Sequence, residues 1–279
     1  MSDIMDKTAE SENLAVFCDF ENIALGVRDA RYAQFDIRKV LERLLLKGSI
    51  VVKKAYCDWE RYKEFKAAMH EAAFELIEIP HVRQSGKNSA DIRMVVDALD
   101  LCYTKSHVDT FVIVSGDSDF SPLVSKLREN NKIVIGVGVK NSSSDLLISN
   151  CDEFIYYDNL VREKQPRKKV TRKAPRTGSR AAAPVAKEEK EAEERTQAAL
   201  NLVLETLEAL AEERGSGEKI WGSMVKQTLK RRRPGFNESY YGFRSFNRLL
   251  EEAASRGLMD LEPDEKSGGY IIRRFHQED

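Results

Sequence analysis

The stretch Thr110–Leu123, TFVIVSGDSDFSPL, decides how this chain is read. Residues 110–114 are apolar or β-branched, the composition of a strand buried on both faces of a sheet. Ser115 and Gly116 follow, then two aspartates one residue apart, Asp117 and Asp119. Ser121 and Pro122 next carry the signature of a helix start, a hydroxyl N-cap with proline at the first helical position. A helix so equipped does not need Asp119 as its cap. Two like charges at the end of a buried strand therefore have another purpose, and in an open parallel sheet functional groups collect beyond the C-terminal strand ends.

The same rhythm extends outward over residues 13–160. Short β-rich runs, LAVFCDF, IVVKKAYCD, FELIEIP, KIVIGVGV and EFIYYD, alternate with helical patterns. The helical stretches are FDIRKVLERLLLKGS, ERYKEFKAAMHEAAF, SADIRMVVDALDLCYT, SPLVSKLRENN and SDLLISNC. Ile37, Val40, Leu41, Leu44 and Leu45 recur at helical spacing, as do Ile92, Val95, Val96, Leu99 and Tyr103, so both sets are expected to face a core. Strands alternating with helices predict an α/β fold with a mostly parallel sheet covered on both faces.

Two further aspartates join the pair. Asp19 ends the run LAVFC, and Asp91 lies at the start of the helix after Ser89, aimed at the same crevice. Each has a local explanation: a turn for Asp19, the favourable N-terminal dipole for Asp91, loop N–H groups for Asp117. As a set they repel one another unless cations sit between them. Oxygen-only ligands suit Mg2+ or Mn2+, which promote attack of water on a phosphoryl group. The absence of a G-x-G-x-x-G or Walker loop argues against a dinucleotide or nucleoside-triphosphate site.

AVFCDFENI, GKNSADIRMVVDAL and VIVSGDSDFSPLVSKLRENNKIVIGVGV together resemble the NYN family, a branch of the PIN-like nucleases, over residues 14–158. The resemblance implies a Rossmann-like α/β/α sandwich and an Mg2+- or Mn2+-dependent ribonuclease centre. Its acidic positions fall on Asp19, Asp91, Asp117 and Asp119, as catalytic and metal-holding residues, and its asparagine on Asn22. Asp97 and Asp152 fall on secondary acidic positions. Asn22, Lys87 and Ser115 are expected near the substrate, with Ser115 able to bond a carboxylate or a phosphate.

Residues 161–195 lose the pattern. VREKQPRKKVTRKAPRTGSR is basic, and KEEKEAEER is acidic, so a flexible linker is expected. Residues 196–279 read as a long amphipathic helix, a shorter one stopped by Pro234-Gly235, a third starting at Asn237 or Ser239, and a hairpin. Phe243, Phe246, Leu249, Leu250 and Ala253 of the third are expected in the core. This unit resembles a LOTUS, or OST-HTH, winged-helix domain. That implies binding to RNA, single-stranded or structured and including guanine-quadruplex RNA, and contact with a protein partner. Lys230, Arg231, Arg232 and Arg233 end its second helix and are expected to meet phosphates.

At 279 residues the chain has room for two cores, and its formal net charge of −1 predicts no partner. The four cysteines stand far apart with no C-x-x-C, the usage of reduced core thiols rather than zinc ligands. The polar N-terminus and the lack of a stretch of about 18 apolar residues predict a cytoplasmic protein with no membrane partner. The leading expectation is a metal-dependent ribonuclease. Its rival is a non-catalytic RNA-binding or adaptor protein that retains the nuclease fold.

Overall fold

The computed structural model describes residues 12–79, 88–162, 183–214, 219–264 and 268–275. The chain forms two compact units that divide after residue 164.

In the first unit, β1 (Glu12–Asp19), β2 (Gly48–Cys57), β3 (Glu75–Glu78), β4 (Thr110–Val114), β5 (Ile133–Gly138) and β6 (Glu153–Tyr156) form one sheet. The order is β3-β2-β1-β4-β5-β6. Every pairing is parallel, where the sequence predicted mostly so. Successive side chains alternate between two cores. Leu14, Val16 and Cys18 of β1 and Val112 and Val114 of β4 pack under α1 (Phe20–Asp29), α2 (Ile37–Leu44), α3 (Lys63–Glu71) and α7 (Tyr157–Arg162). Ala15, Phe17, Phe111 and Ile113 face α4 (Ser89–Thr104), α5 (Ser121–Glu129) and α6 (Asp145–Asn150). The result is a three-layer α/β/α sandwich.

Three local expectations need correction. The helix α1 was not foreseen; Asp19 caps it, and Ile23 and Val27 bury its inner face. On α4 the buried residues are Met94, Ala98 and Cys102, whereas Ile92 is 63% exposed, Val96 55% and Tyr103 64%. Val95 and Leu99 of the expected stripe do pack against the core, but the rest of it faces outward, because α4 carries apolar residues on two sides and periodicity alone does not say which meets the sheet. Ser121 is not a cap. A single 3-10 turn, Ser118–Phe120, runs directly into α5, and the capping side chain is Asp117. All four cysteines are buried and unbonded.

In the second unit, α8 (Ala183–Arg214), α9 (Gly222–Arg232) and α10 (Phe246–Ser255) pack around Leu200, Val203, Leu207, Val225, Leu249 and Leu250. The helix α8 starts within the stretch read as a linker. A small antiparallel sheet has the order β7-β9-β8, from β7 (Ile220–Trp221), β8 (Met259–Asp264) and β9 (Gly269–Phe275). The expected third helix starts later than Asn237 or Ser239. Asn237 accepts the Ser239 N–H at 2.9 Å in a turn, Gly242 adopts φ +92°, and Ser245 caps α10. Phe243 is only half-buried, while Phe246, Leu249, Leu250 and Ala253 are buried as expected. Among the described residues no helix is long and apolar enough to cross a membrane.

The two faces of α4 give opposite mutational outcomes. Met94→Ala should cost about 2–5 kcal/mol in urea unfolding. Ile92→Ser should stay within about 0.5 kcal/mol of the parent. Equal losses would put Ile92 back in the core.

Candidate active site

The strand order reverses between β1 and β4, the place where an open parallel sheet leaves a crevice beyond its strand ends. Asp19 is the last residue of β1 and only 7% exposed. As N-cap of α1 it accepts the Asn22 N–H at 3.3 Å. Ser115, the residue after β4, is fully buried. Its hydroxyl donates to Asp19 Oδ2 at 3.0 Å and accepts the Asp117 N–H at 3.2 Å. Of the two roles open to Ser115 in the sequence, the structure shows the carboxylate one. Asn22 Oδ1 accepts the Gly116 N–H at 2.9 Å, tying α1 to the loop after β4.

Gly116 is demanded by crowding. A Cβ there would stand 2.5 Å from the Ser142 carbonyl oxygen and 2.9 Å from Ser143 Cα. This close approach lets the Gly116 carbonyl accept the Ser144 N–H at 2.9 Å, at the start of α6. Asp117 is fixed by its capping bond, accepting the Asp119 N–H at 3.0 Å, and Asp119 itself is exposed.

Asp91 arrives from another layer. It lies one turn before Met94 on α4, so the packing that buries Met94 carries Asp91 out over the strand ends. Burial and then the charge of Asp91 push the Asp19 carboxyl up to about 7, Asp117 adding a smaller push, against the hydrogen bonds from Asn22 and Ser115. Asp91 is raised too, by burial, then Asp117, Asp119 and Glu21. Asp19 thus feels Asp91 and Asp117, and Asp91 feels Asp117 and Asp119. Among the described residues, however, no three His, Cys, Asp or Glu side chains are placed to hold one metal ion between them.

Glu21 was missed by the sequence reading. It faces the same rim from the first turn of α1 and pairs with Arg61 at 3.2 Å; its position two residues after Asp19 was the available signal. Asp97 points away from the rim, taking the Tyr56 hydroxyl at 2.8 Å and Arg93 at 3.1 Å. Asp152 accepts the Val134 N–H at 2.8 Å and joins β5 to the start of β6. Lys87 lies outside the described residues. In the second unit Arg231, Arg232 and Arg233 are exposed at the end of α9 and Lys230 is half-buried; Arg232 also donates to the Glu205 carbonyl at 3.2 Å.

The NYN domain matches residues 13–158, a little over half of the chain. The chain belongs to the NYN domain family. Over 154 residues it is 27% identical to "Meiosis regulator and mRNA stability factor 1" of Xenopus tropicalis, covering 55% of this chain and 9% of that protein. Over 137 residues it is 30% identical to an uncharacterized protein of Methanocaldococcus jannaschii, covering 48% of this chain and 54% of the other. Among solved structures, one of a protein of unknown function from Vibrio parahaemolyticus is 27% identical, covers 55% of this chain and 98% of that one, and has a TM-score of 0.49. The NYN domain is a nuclease-type fold, and the rim of carboxylates lies within it.

The Asp19 shift has a signed consequence. A carboxyl raised in the fold holds its proton to higher pH than the unfolded chain does. Its contribution to stability is complete below the unfolded value of about 3.9 and is lost as pH rises through about 7. In cation-free buffer, Asp19→Asn should gain in urea midpoint over the parent, by a margin that widens between about pH 4 and pH 8. A margin independent of pH would mean that Asp19 is not charged against its surroundings.

Proposed function

We propose that this chain is an Mg2+- or Mn2+-dependent ribonuclease. One observation carries the reading: at the strand-order reversal the charges of Asp91 and Asp117 raise the proton affinity of Asp19, and those of Asp117 and Asp119 raise that of Asp91. Mutual repulsion of this kind is what a bound cation relieves. The donor set is all oxygen, which fits a hard divalent ion. Such an ion, held by these carboxylates, would neutralise them and stabilise charge on the phosphoryl group.

The chain's own residues have separable tasks. Ser115 and Asn22 hold Asp19 in one orientation, as outer partners of ligating carboxylates do. Asp119, exposed at the edge, takes the proton of the attacking water. Attack on phosphorus breaks the P–O3′ bond, leaving a 5′-phosphate and a 3′-hydroxyl that gains its proton from solvent. The name of the Xenopus tropicalis relative, which concerns mRNA stability, supports RNA as the substrate.

In this proposal the second unit is a LOTUS-type winged helix. Its three helices and small antiparallel sheet support that reading. Lys230, Arg231, Arg232 and Arg233 contact RNA phosphates, guanine-quadruplex RNA being one ligand class, and the same unit can engage a protein partner.

A non-catalytic RNA-binding role is the second reading. It is favoured by the lack, among the described residues, of three acidic groups placed to share one ion. RNA binding that persists in EDTA, with no cleavage in Mn2+, would establish it.

The deciding experiment incubates end-labelled single-stranded RNA with Mn2+ and either the parent protein or Asp117→Asn. Loss of one charge-stabilising group should slow cutting by about 100-fold or more. Equal rates would remove these carboxylates from the chemistry.

A further inference from the structure

The misplaced stripe of α4 has an address. Ile92 and Val96, both largely exposed, wall a cavity of about 730 Å³ together with Val95, Pro122 of α5 and Leu146 of α6. Leu146 is 56% exposed. Asp91 and Asp119 stand on the lip of the same cavity. An apolar hollow of this size falls in the range of small-ligand sites.

We propose that this cavity is a nucleobase subsite, holding one base of the strand whose phosphate is cut at the carboxylate rim. The proposal rests on the ribonuclease reading and adds to it the residues that select the substrate. The wall decides the occupant. Among the described residues the lining carries no lysine or arginine, and its two carboxylates belong to the ion of the proposed centre, so nothing along the apolar wall holds a phosphate. The part of a nucleotide that suits an apolar wall next to an acidic lip is the flat, uncharged base. Asn88 and Ser125, on the same lining, supply polar groups for a base edge. A second copy of this chain fits less well. A copy seated on this face would cover Asp91 and Asp119, which the ribonuclease reading needs open to the strand that is cut. A base paired in a duplex keeps its faces stacked and cannot enter, so the subsite selects an unpaired nucleotide at a fixed distance from the cut.

The test uses the full chain and short single-stranded RNAs, each with one abasic position at a different distance from the cut. Binding is read by fluorescence anisotropy in Ca2+, and cleavage in Mn2+ is split into KM and kcat. For the parent, one abasic position should weaken binding about tenfold, with the others near neutral. In the double variant Ile92→Ser, Val96→Ser that penalty should shrink to about twofold or less, with the urea midpoint unchanged because both side chains are exposed. A parent penalty that is flat along the RNA overturns the subsite. So does a variant that keeps the full penalty. A parent dimer that the double variant dissociates, without any abasic effect, makes the face an interface between copies and overturns it too. Failure of the ribonuclease reading looks different: the parent cuts nothing in Mn2+, while the anisotropy series still reports whether a base is held.

Discussion

The C-terminal ends of β1 and β4 lie side by side, and one buried hydroxyl, that of Ser115, spans them. The rest of the site follows from this contact. With strand order reversing here, the chain leaves β1 towards one layer through α1 and leaves β4 towards the other through α5. The strand ends themselves are buried, and the site reaches solvent through Asp117 and Asp119 in the loop that follows β4. Alternation along the strands then sets direction. Ala15 and Phe17 face the α4 layer, and Asp19 continues that series; Phe111 and Ile113 do the same for Ser115. Both rim side chains therefore turn towards the layer from which Asp91 arrives.

This arrangement costs the fold something. A carboxylate with 7% exposure, beside two others, loses hydration and gains repulsion. What offsets the cost is local and specific. Asp19 caps a helix and accepts a hydroxyl hydrogen bond; Asp117 caps the 3-10 turn. Asp19 and Asp117 thus each have a structural bond that keeps them in place, and their charge is left for something beyond the fold to compensate. Capping and ion holding are compatible, because a carboxylate oxygen has more than one lone pair. For Asp117 the local explanation weighed in the sequence, loop N–H groups, is a means by which it is oriented; for Asp19 a helix cap stands in place of the expected turn.

What the sequence could reveal followed from how far each signal reaches. The strands and their parallel sheet were readable because runs such as TFVIV are apolar at every position, which only two-sided burial accounts for. Asp19, Asp117 and Asp119 were readable because they end such runs. The capping assignment failed at Ser121 because two patterns overlapped. Asp117 with its turn offered an earlier start than Ser-Pro, and the chain took the earlier one. Glu21 escaped because a glutamate in the first turn of a helix is ordinary; only the proximity of α4 gives it a neighbour of like charge. The delayed start of α10 rests on the turn made by Asn237, whose side chain serves a turn as readily as a cap.

The helix α4 shows why the remaining information had to come from three dimensions. Met94, Ala98 and Cys102, four residues apart, dock it on the sheet. Asp91 extends that same line by one turn, beyond the last strand residue. Its place therefore follows from the core packing of α4. Ile92 and Val96 stand off this line and would be equally good core residues in a helix rolled by roughly 140°, at about 100° per residue. Rolling it would bury them and swing Asp91 away from Asp19. The helix keeps the orientation in which two branched apolar side chains face solvent, and in that orientation the acid and the apolar wall lie on one cavity. Position of charge and exposure of apolar surface are thus two consequences of one docking angle.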